Sequence, residues 1–136
     1  LDIEKGKVKE LIGWGPYLRQ TWERFFCSHL SEKEKKDIYL DGFLWHVFSW
    51  EKAECLKGKE AIDAFRQVSK EKFTVFYQFI NEAYLVEKAW DLRPEDLPYE
   101  QDHMDYGDLY VMDWSGRWTF VLTHEPDCGP YFYERQ

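Results

Sequence analysis

The stretch Arg117-Trp118-Thr119-Phe120-Val121-Leu122-Thr123-His124-Glu125-Pro126-Asp127-Cys128-Gly129-Pro130-Tyr131-Phe132 decides the fold of this chain. Trp118, Phe120 and Leu122 alternate with Thr119, Val121 and Thr123, the period of two that a strand requires. His124 continues the face of Trp118, Phe120 and Leu122. Pro126, Gly129 and Pro130 then break the strand, and Tyr131-Phe132-Tyr133 reads as a short last strand or tail. Just upstream, Asp113-Trp114-Ser115-Gly116 reads as a hairpin turn, with a glycine free to take positive φ. A partner strand over 108–113 leads into it. An antiparallel hairpin therefore anchors the reading.

Working back towards the N-terminus, residues 73–79 form an apolar run of strand length. Residues 59–69 read as a helix with Ala61, Ile62, Phe65 and Val68 inward. The run 43–50 is almost wholly apolar and aromatic and predicts a central strand. Its faces would be Phe43/Trp45/Val47/Ser49 and Leu44/His46/Phe48/Trp50. Ser31 followed by Glu34 is a capping box that opens a helix over 32–40. Pro16 suits a first helical turn, and Leu18, Trp22, Phe25, Phe26 and Leu30 line one stripe of a helix over 16–30. Residues 80–90 fit a helix or a strand, with helix preferred. Residues 1–15 read as an arm or short helix, and residues 16–136 as one domain. The pattern predicts an α+β fold: a single domain with a mainly antiparallel sheet and helices packed on one face. Trp22, Phe26, Trp45, Phe48, Phe65, Phe76, Trp118 and Phe120 are its expected core.

The chain has 136 residues, enough for one domain of ordinary size. Aromatic residues make up 19%, so a few side chains supply much of the buried area. Charge is unevenly placed. Residues 1–70 hold 13 basic and 12 acidic groups; residues 71–136 hold 5 and 14, a balance of −9 within a total of −8. Such a field repels phosphate backbones, so nucleic acid is not an expected partner, while it permits a basic protein, a cation or mimicry of nucleic acid. No apolar stretch is long enough to span a membrane. The three cysteines, Cys27, Cys55 and Cys128, are an odd and widely spaced set. Without a signal peptide, that count predicts reduced thiols and a cytoplasmic protein.

Trp45-His46-x-Phe48-Ser49, Cys55-Leu56-x-Gly58, Phe76-Tyr77-Gln78, Trp118-Thr119-x-Val121-x-Thr123-His124-Glu125 and Cys128-Gly129-Pro130-Tyr131-Phe132 stand in order along the chain. Together, over roughly residues 17 to 133, they resemble a family of small uncharacterised bacterial proteins. It is domain-of-unknown-function family 4275, known mainly from spore-forming Gram-positive bacteria. The ending from His124 to Phe132 is its most specific part. The resemblance implies a bacterial cytoplasmic protein and carries no activity with it.

Reactive side chains concentrate after the last long strand. A thiolate nucleophile needs a base within hydrogen-bond reach and a group to orient that base. Cys128 is the candidate nucleophile, His124 or His46 the base, and Glu125 the orienting group. The bland alternative is a buried thiol and a histidine at the edge of the core. His46, His124, Cys55 and Cys128 also have the donor chemistry of zinc ligands, but only His124 and Cys128 have a ligand-like spacing. Residues 91–113 carry eight acids and one base. Asp102, Asp105 and Asp108 beside Gly107 lack the alternation of an EF-hand loop, and a solvated acidic surface is the default. Trp114, at a hairpin tip, is the tryptophan expected to be exposed, and exposed tryptophans are frequent binding anchors.

Two classes of function follow. The first is a non-catalytic protein-interaction module that offers Asp102, Asp105, Asp108 and Trp114 to a basic partner, as an immunity protein covers a toxin. The second is a small thiol-dependent hydrolase or transferase using Cys128, with metal binding through His124 and Cys128 as a further alternative. No cofactor is expected, and nothing in the chain indicates a homo-oligomer.

Overall fold

The computed structural model describes residues 5–135. Among these residues seven strands form one sheet: β1 (Lys7–Glu10), β2 (Leu56–Lys57), β3 (Lys72–Tyr77), β4 (Ala83–Glu87), β5 (Leu109–Asp113), β6 (Trp118–Leu122) and β7 (Tyr131–Glu134). Their order across the sheet is β1-β4-β3-β5-β6-β7-β2, and each neighbouring pair is antiparallel. Four helices accompany them: α1 (Gly15–Phe26), α2 (Glu32–Asp37), α3 (His46–Ser49) and α4 (Lys59–Gln67). The α+β class and the antiparallel sheet are as the sequence predicts.

Strand alternation splits the interior into two layers. Phe76, Tyr110, Met112, Val121 and Tyr131 point to one face, against Leu18, Trp22 and Phe26 of α1 and Val47 and Phe48 of α3. Phe73, Val75, Val111, Trp118, Phe120 and Phe132 point to the other, against Ala61 and Phe65 of α4. The helices therefore divide between both faces rather than sharing one. Every strand of the hairpin is apolar on both sides, so each face needs a cover. Phe65 stacks on Phe120 at 4.3 Å between ring centroids. Trp22 sits edge-on to Tyr110 and Phe48 and donates from Nε1 to Thr119 Oγ1 at 2.8 Å. All eight expected core aromatics are buried.

Several local rules operate as expected. Ser31 Oγ accepts the Glu34 N–H at 3.1 Å and Glu34 Oε1 accepts the Ser31 N–H at 3.0 Å, the reciprocal capping box at the start of α2. In the β5–β6 turn the Gly116 N–H reaches the Asp113 carbonyl at 2.8 Å. Gly116 has φ of 72°, and a Cβ there would lie 2.5 Å from the Phe25 ring.

Three segments differ from expectation. Residues 43–50 form no strand: turns lead into the single-turn helix α3. Leu44, Trp45, Val47 and Phe48 of the run are buried in the layer shared with α1, and an apolar run of eight residues has no period that separates strand from buried helix. Its backbone is satisfied by side chains instead of a ladder. Leu44 N–H donates to Gln78 Oε1 at 3.0 Å and Trp45 N–H to Tyr110 Oη at 3.2 Å. Residues 83–87 form β4 rather than helix, because β4 pairs with β3 on one side and with β1 on the other. β1 arises inside the stretch read as an arm, with Val8 opposite Val86.

Candidate functional site

β5 and β6 pair with Leu109 opposite Leu122. That register brings Asp108, just before β5, beside His124, just after β6. The Asp108 side chain is only 3% exposed. Its Oδ1 accepts the Trp45 indole N–H at 2.9 Å and the His124 backbone N–H at 3.1 Å. His124 Nδ1 lies 3.0 Å from both carboxylate oxygens. A carboxylate only accepts, so Nδ1 carries the proton. Nε2 lies 3.2 Å from Glu125 Oε1, which places the imidazole between two carboxylates. Its ring packs on Phe43 at 5.2 Å and Trp45 at 6.0 Å.

This pair borders a cleft of about 570 Å³, walled by Phe43, Phe79 and Met104 with Asp102 and His103 beside them. Phe79 is 51% and Met104 81% exposed. The cleft exists because the acidic segment folds back on the sheet. Leu92 and Leu97 are buried, Tyr77 Oη donates to the Pro98 carbonyl at 2.5 Å and Tyr99 Oη to that of Thr123 at 2.5 Å. Gly107 permits the close approach: a Cβ there would meet the His103 carbonyl at 2.6 Å and His124 Cβ at 3.1 Å.

The predicted site residues separate. Asp102 is exposed and Asp105 half-buried on the segment. Asp108 is not part of an acidic surface: it is buried, because Trp45 and His124 supply the donors that a desolvated carboxylate needs. His124 and Glu125 stay together. Cys128 packs against the core beside Tyr131. The ring nitrogens of His124 face carboxylates instead of that thiol. His46 donates from Nδ1 to the Ile38 carbonyl at 2.6 Å, so it stands apart. Among the described residues no three His, Cys, Asp or Glu side chains converge to hold a metal ion. The His124/Cys128 pair thus lacks the further ligands of a zinc site. All three cysteines are free thiols. Burial pushes Cys27 up to about 12 and Cys55 up to about 11, the protonated, unreactive direction. Trp114 is exposed at the hairpin tip, with Lys72 Nζ 4.1 Å from its ring centroid.

A family model described as a domain of unknown function, DUF4275, matches residues 1–132. The chain belongs to the DUF4275 family. No curated protein and no solved structure matches it. Among the described residues of this DUF4275 domain, no helix is long and apolar enough to cross a membrane. Sequence reasoning singled out His124 but missed its partnership with Asp108 and with Trp45. The four-residue turn at 113–116 held the signal for the first, since it fixes the strand register. The second had none, because Trp45 reaches the site from the turn before α3, far away in the chain.

Proposed function

We propose that this DUF4275 domain is a non-catalytic protein-interaction module that captures a basic partner, in the manner of an immunity protein. The observation that carries the reading is the cleft beside His124. Two exposed apolar side chains, Phe79 and Met104, stand there next to Asp102, on the half of the chain whose charge balance is −9. An apolar anchor beside an exposed carboxylate suits an arginine or lysine of the partner. The stem packs on Phe43 and Phe79 while the cationic head meets Asp102. The field of the segment speeds encounter, and the rigid Asp108–His124–Trp45 group keeps the cleft wall in place.

The test places a photo-crosslinking amino acid at Met104 and, as control, at Lys33 on α2. The reading expects a basic protein cross-linked from position 104 only. Association of that protein should slow with added salt and with Asp102→Asn plus Asp105→Asn. An on-rate indifferent to both would remove the electrostatic basis of the proposal.

A further inference from the structure

The opposite end of the same hairpin has a different chemistry. Residues 71–136 contain five basic side chains, and three of them, Lys72, Arg117 and Arg135, gather near the β5–β6 turn, joined there by Arg24 of α1. Arg117 pairs with Glu134 at 3.4 Å. The others rest on aromatic rings: Lys72 on Trp114 at 4.1 Å, Arg135 on Phe25 at 4.7 Å and Arg24 on Phe25 at 5.9 Å. No ion pair among the described residues includes Arg24 or Lys72. That is notable in a chain with 26 acidic and 18 basic groups.

Beside these cations runs a cleft of about 280 Å³ between α1 and the sheet. Trp14 and Tyr17 form one wall and Trp114 another, over a floor of Thr74 and Met112, with Arg24 at the side. The three aromatic walls are exposed. Trp14 and Tyr17 meet edge-on, 5.3 Å apart at 82°, so the two rings do not form a flat plate. A groove lined by exposed aromatic rings is the kind of surface on which a polyproline-type helix docks. Its rings and carbonyls project at fixed spacing, and little chain entropy remains to be lost.

We propose that this cleft is a docking groove for an extended, proline-containing peptide segment flanked by acidic residues. The prolines seat between Trp14, Tyr17 and Trp114, and the acidic flanks meet Arg24 and Lys72. Charge complementarity selects the acidic peptide, since the ionised groups lining the groove and its Trp114 wall are cationic. A nucleic acid strand would also stack on the rings, but its many phosphates meet the −8 charge of the whole chain. This groove is independent of the His124 cleft.

Fluorescence anisotropy of the full chain with a short labelled peptide tests the proposal. The peptide carries two Pro-x-x-Pro units between glutamates. Controls are the same peptide with lysine flanks and an oligothymidylate of equal length. The expected result is saturable binding of the acidic peptide in the micromolar range. Trp114→Ala or Tyr17→Ala should weaken it by about tenfold. Arg24→Gln with Lys72→Gln should weaken it and flatten its salt dependence. Phe79→Ala, at the other end, should leave it unchanged, and circular dichroism checks that each variant is folded. Equal binding of the lysine-flanked peptide, tighter binding of the oligothymidylate, or no saturation by the acidic peptide overturns the proposal. So does self-association that Trp114→Ala abolishes without any peptide binding, which would assign the groove to a second copy of the chain.

Discussion

The two ends of the β5–β6 hairpin treat charge in opposite ways. At the open end a carboxylate is withdrawn from water and held by donors from Trp45 and His124. At the turn end cations lie across aromatic rings, Lys72 over Trp114 and the exposed Arg24 over Phe25. The difference follows from side-chain chemistry. A carboxylate is compact, so once desolvated it needs several fixed hydrogen bonds. Lysine and arginine have long apolar stems and can rest on a ring while the head remains wet. The acidic end is consequently an assembly of three hydrogen-bonded segments, and the cationic end a surface of cations resting on rings.

Variants at each end can break that contrast. The largest effect is expected for Asp108→Ala, which strands the Trp45 and His124 donors in a buried site. Removing one partner of such a group costs about 3–5 kcal/mol, read from urea denaturation. A loss below about 1 kcal/mol, the range of a surface change, would show that the carboxylate is not structural. Next comes Gly116→Ala at the turn, where φ is 72° and the added methyl meets the Phe25 ring. An expected cost of about 1–3 kcal/mol should be accompanied by altered near-ultraviolet circular dichroism. Lys72→Met keeps the stem and removes the charge over Trp114, for an expected loss of about 0.5–1 kcal/mol. A red shift of tryptophan fluorescence in that variant would sharpen the assignment.

The smallest effect concerns Asp96, on the acidic segment. The Arg93 backbone N–H, with Lys5 and the Arg93 side chain, pulls its carboxyl down to about 2. A depressed folded value means stability that is present above the ordinary carboxyl range and is lost as pH falls through about 2. Asp96→Asn should therefore flatten the acid limb of the stability curve between about pH 4 and 2. An unchanged limb would detach this residue from the acid response.

What was legible in the chain was local. The capping box at Ser31 and Glu34, the turn at Asp113–Gly116 and the helical stripe of α4 each follow from residues within a few positions of one another. The buried aromatics were legible too, because size and apolarity decide burial whichever element carries them: Trp45 in a turn and Phe48 in α3 are core residues although neither lies in a strand. β4 was not legible, since the strand that stabilises its outer edge lies at residues 7–10, in a stretch with no apolar alternation of its own. The site was half legible. Asp108 and His124 follow from the hairpin register, but Asp108 read as one acid among eight. Only the tertiary approach of Trp45 shows that it is buried. The cationic groove was invisible, because Arg24, Lys72 and Arg135 come from three separate elements.

The strand order has a consequence for how the chain is made. The five inner strands all lie within residues 72–134, and the two edge strands come from the first 57 residues. A chain emerging from the ribosome therefore presents α1, α2, α3 and both edge strands before any of the sheet they cover exists. At roughly 5–20 residues per second, Trp22, Trp45 and Phe48 wait for seconds until β7 emerges. During that interval the strands that complete their burial are missing, so a chaperone that holds aromatic segments has its best opportunity in this part of the molecule.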